Sequence, residues 1–308
     1  MEARVIRSIP NIMSQFVNKP LAVEHGKLMV MLSVLREKAN INELAYVTDD
    51  GEVRTLTAAD MARIEARALA SLEGGSRRQS RPYVVQDNIA IIPIEGTLMR
   101  SWGLHPESGK TGYDGITVKL REAMADDDVD GIFLDIDSPG GQVAGLFDLV
   151  DEIYNSNAKN GGKLIYAHSN EDAYSAAYAI ASAADKLFVP RTGGVGSVGV
   201  ITVHVDESEA LASEGLKVTV LRAGKEKAKG NSLEPLDDGT RAEWLAELEE
   251  VRGIFAETVA RNRNLSVKRV MDTEARTYLG KKGVDVGFAT GVKSQAEAWS
   301  SMLRRLNR

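Results

Sequence analysis

The chain has 308 residues, 43% of them hydrophobic, enough to bury a full core and a smaller accessory domain. Its net charge of −6 offers no general basic excess for neutralising phosphates, so nucleic acid is not an expected partner. Cysteine is absent, which excludes disulfides, thiolate metal sites and cysteine nucleophiles together.

No segment approaches the roughly 18 uninterrupted apolar residues of a membrane helix. The start, MEARVIRSIP, lacks the apolar run of a secretory signal. A soluble, cytoplasmic protein without membrane contact is expected. In the first eighty residues, KLMVMLSVLREKA (27–39) has helical spacing, and YVTDDGEVRTL (46–56) reads as a hairpin turning at Asp50-Gly51. Thr57 is a plausible N-cap for a second helix, AADMARIEARALASL. GGSRRQSRP (74–82) has the composition of a linker, so the boundary between an N-terminal arm (1–80) and the main domain is placed there.

From Tyr83 onward, strands and helices alternate. Strands are expected at 84–96, 131–136, 163–168, 186–190, 197–205 and 217–223. Helices are expected between them, around 116–126, 143–157, 175–184 and 207–215. Nearly continuous apolar strands separated by amphipathic helices indicate buried parallel pairing, hence an α/β core with a parallel sheet. The charged stretch 240–264 reads as a long exposed helix, and a last helix is expected in the tail from Ser294, with the core ending near 292 and the tail covering 293–308.

The chemistry centres on DIDSPGGQV (135–143), which closes an apolar strand where a parallel sheet presents its ligand loops. DSPGGQ lacks the GxxxxGK[ST] pattern of a phosphate loop, and no HExxH or similar metal spacing occurs. Neither a metal nor a cofactor is expected. Gly140 and Gly141, without Cβ atoms, can turn backbone amides into a cleft, where such donors suit a developing oxyanion. A tight strand-to-helix turn with no ligand is the plainer reading of the same glycines. Ser138 is either a turn residue or a nucleophile on this ground alone.

AYSAAYAIASAAD (173–185) supplies a second serine, Ser175, followed by Ala176, Ala177 and Ala181, small enough for a helix to start close against the sheet. An N-cap serine on a packed helix explains it equally well. The histidines are His25, His105, His168 and His204, and His168, ending a predicted strand seven residues before Ser175, reads best as a structural or rim residue. A serine without histidine can use a neutral lysine. Lys225, Lys227 and Lys229 lie in RAGKEKAKGNSLEPL (222–236), a pattern that is ordinarily a solvated loop. To be neutral at pH 7 a lysine must titrate about 3.4 pH units below 10.4, a cost of about 4.6 kcal/mol. Burial or a cationic neighbour is therefore required.

GIFLDIDSPGGQV, AYSAAYAIASAADKLFVPRTGGVGSVGV and RAGKEKAKGNSLEPL, in that order, resemble the signal peptide peptidase family of serine proteases, in particular its phage branch of minor capsid or prohead proteases. The opening NKPLAVEHGKLMVMLSVL resembles the arm of that branch, so the similarity covers roughly residues 15–292. The resemblance implies a crotonase-like or Clp-protease-like superhelical ββα core with a small α+β arm, and homo-oligomers in which a Ser-Lys dyad can be shared between subunits. It places the nucleophile on Ser175, in a frame with Ala173 and Tyr178, and the base on Lys227, after Gly224 and Lys225. Oxyanion amides fall on Gly140 and Gly141, with Ala176 as a possible partner, and Ser138 becomes a turn residue. GSVGV (Gly196 to Val200, with Ser197) matches a signature expected to build the cleft wall, which Ser138, His168 and Tyr178 are expected to complete.

Ala176 and Ala177 stand where the family often has glycines. EARTYLGKKGVDVGFATGV departs at Gly283 and Thr290, where alanine and aspartate are usual. The implied activity is peptide-bond hydrolysis on scaffold, portal or capsid polypeptides, in the host cytoplasm or the procapsid interior. A scaffold-like extension often follows the protease in that branch, so with the chain stopping at Arg308, scaffolding is expected from elsewhere or from a longer product. A cytoplasmic bacterial peptidase, or a capsid or scaffold component that keeps the fold without activity, are the rival readings. A crotonase acting on acyl-CoA would share the amide pair but gives no reason for the serine and lysine frames.

Overall fold

The computed structural model describes residues 81–106 and 109–307 in full, and the backbone of 21–23, 44–47 and 53–56. The chain divides into two compact units, residues 1–14 with 29–81 and residues 15–28 with 82–308. Strand β1 (Leu21–Val23) belongs to the second. In the first, β2 (Leu44–Val47) and β3 (Val53–Leu56) pair antiparallel with Val47 opposite Val53, the hairpin expected there. Its turn, and the helices expected over 27–39 and after Thr57, lie outside the described residues.

From residue 82 the second unit continues with a hairpin where one strand is expected from sequence. β4 (Val84–Gln86) turns into β5 (Ile89–Met99) through Asp87 and Asn88, both at positive φ (50° and 58°). Two left-handed residues make a type I′ turn, and Asp and Asn tolerate that conformation better than most side chains. β6 (Lys110–Gly112), α1 (Tyr113–Ala125), β7 (Gly131–Gln142), α2 (Leu146–Ser156), β8 (Leu164–Tyr174), α3 (Ala176–Ser182) and β9 (Lys186–Val189) follow. β5, β7, β8 and β9 are parallel neighbours, so the expected α/β core with a parallel sheet is present.

Alternation along the strands sends side chains to two buried faces. Ile92 and Ile94 of β5, with Ile132, Leu134 and Ile136 of β7, join the main core with Leu120, Leu149 and Ile153 from α1 and α2. Each such side chain contributes about 1.5–3 kcal/mol on burial. The other parity, Ile89, Phe133 and Tyr166, packs with Phe188 under Ala298 and Met302.

Further along, β10 (Gly194–Gly196) pairs parallel with β8 and antiparallel with β11 (Thr277–Leu279). The strand expected at 197–205 is therefore displaced: pairing ends at Gly196, and 197–205 is irregular apart from a bridge residue at Ile201. The stretch 217–223 is not a strand either, and Val218 and Leu221 are 44% and 91% exposed. Its alternation fits a strand, but it pairs with no strand among the described residues.

α4 (Ser208–Ser213) lies where expected. α5 (Asp238–Arg263) is exposed in its first half only, because Phe255, Ala256, Val259 and Ala260 enter the main core. α6 (Val267–Met271), α7 (Lys281–Asp285) and β12 (Gly291–Val292), parallel to β9, lead to the tail. The tail helix, α8 (Gln295–Leu306), starts from a Ser294–Glu297 capping box and covers the second face of the sheet. No helix among the described residues is long and apolar enough to cross a membrane.

Thr290 stands at a sensitive place. Its Oγ1 accepts from the Leu187 amide and from Arg263, each at 3.1 Å, while the buried Nε of Arg263 has no partner among the described residues. Burial pulls the guanidinium pKa down. A carboxylate here would serve both donors and balance the charge, so Thr290→Asp is expected to stabilise the fold by about 1.5 kcal/mol. Thermal unfolding should then show a Tm higher by about 3 °C. An unchanged or lower Tm would show that the second carboxylate oxygen does not reach Arg263.

Candidate active site

β8 ends at Tyr174 and α3 begins at Ala176, so Ser175 is the whole connection. Its backbone sits at φ 54°, ψ −121°, a region that costs a non-glycine residue of order 1–3 kcal/mol. Strained strand-to-helix turns of this kind lift a nucleophile out of a sheet. The turn is clamped, with Ser175 N–H donating to Gly196 O at 2.8 Å and Ala179 N–H donating to Ser175 O at 2.9 Å. The side chain is fully buried, and its Oγ lies 3.5 Å from Gly199 O. Ala176 opens the helix, so its N–H has no intrahelical acceptor. Ala176, Ala177 and Ala181 are wholly buried, which is why larger residues do not fit this face.

The end of β7 passes alongside. Ser138 Oγ donates to Gly96 O (2.6 Å) and accepts from Gly140 N–H (3.1 Å), so this hydroxyl is committed to shaping the turn. The amide of Gly140 points at Ser138 rather than into a cleft. At Gly141 a Cβ would lie 1.9 Å from Leu98 O, so only glycine allows β7 to approach β5 this closely. Gly196 has φ 114°, and a Cβ there would meet Arg276 O at 2.5 Å. Ser197, also at positive φ, donates its N–H to the same oxygen at 3.0 Å. Ser197, Gly199 and Val200 line an open cleft of about 590 Å³ together with Arg252, Glu274 and Arg276. The three charged residues come from distant segments and read individually as surface charges, so no sequence signal marks them.

Other expected residues lie elsewhere. Tyr178 is in the core, its hydroxyl donating to Phe288 O at 3.2 Å and its ring against Phe288, and burial raises its pKa. It anchors α3 from beneath. His168 stacks on Phe133 on the face covered by α8, and both ring nitrogens are engaged, with Asn170 Oδ1 and Lys293 O at 3.0 Å. His204 is bonded to Asn231 O, and His25 lies outside the described residues.

Among the lysines, Lys229 pairs with Glu226 and Glu243, which raise its pKa and hold it charged. Lys225 lies 3.8 Å from Glu226. Lys227 is exposed in a turn closed by its own N–H to Gly224 O, with no ion pair among the described residues. One chain by itself thus does not bring Lys227 onto Ser175.

Fold and site together define an α/β chain built around a buried serine in a strained strand-to-helix turn. Residues 157–307 match Peptidase family S49, so the chain carries a domain of that family. It is 36% identical over 300 residues to Capsid assembly protease C of Escherichia phage lambda, covering 96% of this chain and 66% of that protein. It is also 36% identical over 302 residues to Head-tail preconnector protein GP5 of Enterobacteria phage P21, covering 98% and 58%. The chain spans less than two thirds of the length of either relative. Among solved structures, a point mutant of ClpP1 from Listeria monocytogenes aligns with a TM-score of 0.41 at 14% identity, over 68% of this chain and 93% of that one.

Proposed function

We propose that the chain is a serine endopeptidase of phage procapsid maturation, with Ser175 and Lys227 as its dyad and scaffold, portal or capsid polypeptides as substrates. The observation that carries this reading is the strained, clamped Ser175 between β8 and α3 in a chain with a domain of this family. In the first step, neutral Lys227 takes the Ser175 proton as Oγ attacks the peptide carbonyl. The oxyanion is received by the amides of Gly141 and Ala176, while Gly140 stays bonded to Ser138. The C–N bond then breaks, the departing amine takes the proton from Lys227, and water releases the acyl group.

Lys227 is exposed in the single chain, whereas a general base must sit within hydrogen-bond reach of Oγ. Lys227 must therefore be buried by assembly, against the Ser175 of a neighbouring copy. The exposed apolar residues Leu216, Val218 and Leu221, a few positions before it, support a homo-oligomer that covers this stretch. Mass spectrometry of the purified chain with co-expressed capsid, portal and scaffold proteins tests the reading. Defined fragments with the natural chain and none with Ser175→Ala are expected. Intact partners in both, with no labelling of Ser175 by a serine-directed phosphonate, would instead mark a structural component that keeps the fold.

A further inference from the structure

We propose that the groove along the end of β7, beside Ser175, has an occupant built into the chain: Leu21–Val23 lies along it as a substrate-like strand and blocks the enzyme until displaced. This rests on the peptidase reading of the site. A strand has two edges, and at Gly140 and Gly141 one edge of β7 is taken by β5, through Thr97 opposite Gly140 and Leu98 opposite Gly141. β1 pairs with the same residues, Val23 opposite Gly140 and Ala22 opposite Gly141, and continues with Leu21 opposite Gln142. It must therefore hold the other edge, which β8 occupies from Gly131 as far as Ser138 opposite Ala173. β8 then leaves through Tyr174 into Ser175. β1 begins along β7 where β8 stops, beside the turn that carries the nucleophile.

An extended peptide bound by backbone pairing to a strand edge is a general mode of peptide recognition. The pairing is antiparallel, so β1 runs from Gln142 towards Gly140, and its C-terminal end leads towards the serine turn. A second observation separates this segment from the rest of the arm. Residues 15–28 cluster with the core, while 1–14 and 29–81 form the other unit. The arm thus gives up one short stretch to the groove.

The test uses the full chain with Leu21→Pro or Ala22→Pro. Alternate residues face the same neighbour, so one of these positions carries an N–H into the ladder that proline removes. Cleavage of a fluorogenic peptide should rise about tenfold in that variant with Tm unchanged, as when a minor open state becomes dominant. A labelled peptide of residues 15–28 should also bind the corresponding Ser175→Ala double variant about tenfold more tightly than Ser175→Ala alone. Equal turnover and equal peptide affinity in all chains would overturn the proposal, and so would a large fall in Tm in both proline variants, which would make β1 a structural strand. If the peptide discriminates between the chains while none of them cleaves anything, the groove assignment stands and the peptidase reading fails.

Discussion

With Ser175 as the proposed nucleophile, Ser175→Ala is expected to abolish peptide hydrolysis, kcat/KM falling on the order of 10⁴-fold or more, while the protein stays folded. The size follows from the proposed role: without Oγ no acyl intermediate would form, and only binding and the proposed oxyanion amides of Gly141 and Ala176 would remain. The fold survives because Oγ makes a single long contact, 3.5 Å to Gly199 O, and because the clamps on the turn are backbone bonds to Gly196 and Ala179. Alanine at this φ is about as strained as serine. Stopped assays of the assembled protein, beside a thermal melt, separate the two effects. Full cleavage by the alanine variant would move the nucleophile elsewhere.

Lys227→Ala is expected to be as severe, because Lys227 is the proposed base and its neighbour Lys229 is held charged by Glu226 and Glu243. The sharper result comes from mixing inactive chains. If Ser175 and Lys227 meet across a subunit boundary, co-assembled Ser175→Ala and Lys227→Ala chains restore activity. In an equal random mixture roughly a quarter of junctions join an intact serine to an intact lysine across a heterologous interface. Activity near that fraction, absent from either variant alone, is the expected outcome. No recovery at any mixing ratio, after chains have been dissociated and reassembled, would require a dyad within one chain.

Much of the core was legible because its strands are apolar on both faces, as in Ile132–Ile136, and its helices are short and amphipathic. Gly140 and Gly141 stood out as candidates for their missing Cβ, and Ser175 through the family resemblance for a hydroxyl before small residues; at Gly141 the structure supplies a packing reason as well, the close approach to Leu98 O. What was not legible depends on neighbours. Gln86 and Ile89 belong to different strands because Asp87 and Asn88 turn left-handed, a signal weaker than an Asn-Gly pair. Residues 217–223 alternate like a strand, but pairing needs an edge as well as a pattern. Tyr178 and His168 fall into family frames or near them, yet they face the core and the α8 layer, and spacing does not tell which side of a sheet a residue joins. The role of β1 needed three-dimensional pairing, since three residues carry too little pattern to stand out.

The backbone angles of Ser175 have one more consequence, for durability. φ 54° and ψ −121° suit glycine at the first corner of a type II′ turn, so a side chain is kept there against local preference. Ser175→Gly would relieve about 1–3 kcal/mol of strain and forfeit about 0.5–1 kcal/mol through the looser unfolded chain. The inert variant should thus outlast the working one, with unfolding shifted to higher denaturant by about 1 kcal/mol. Equal or lower resistance would mean the corner is relaxed as it stands. Proofed against heat, the molecule would be disarmed.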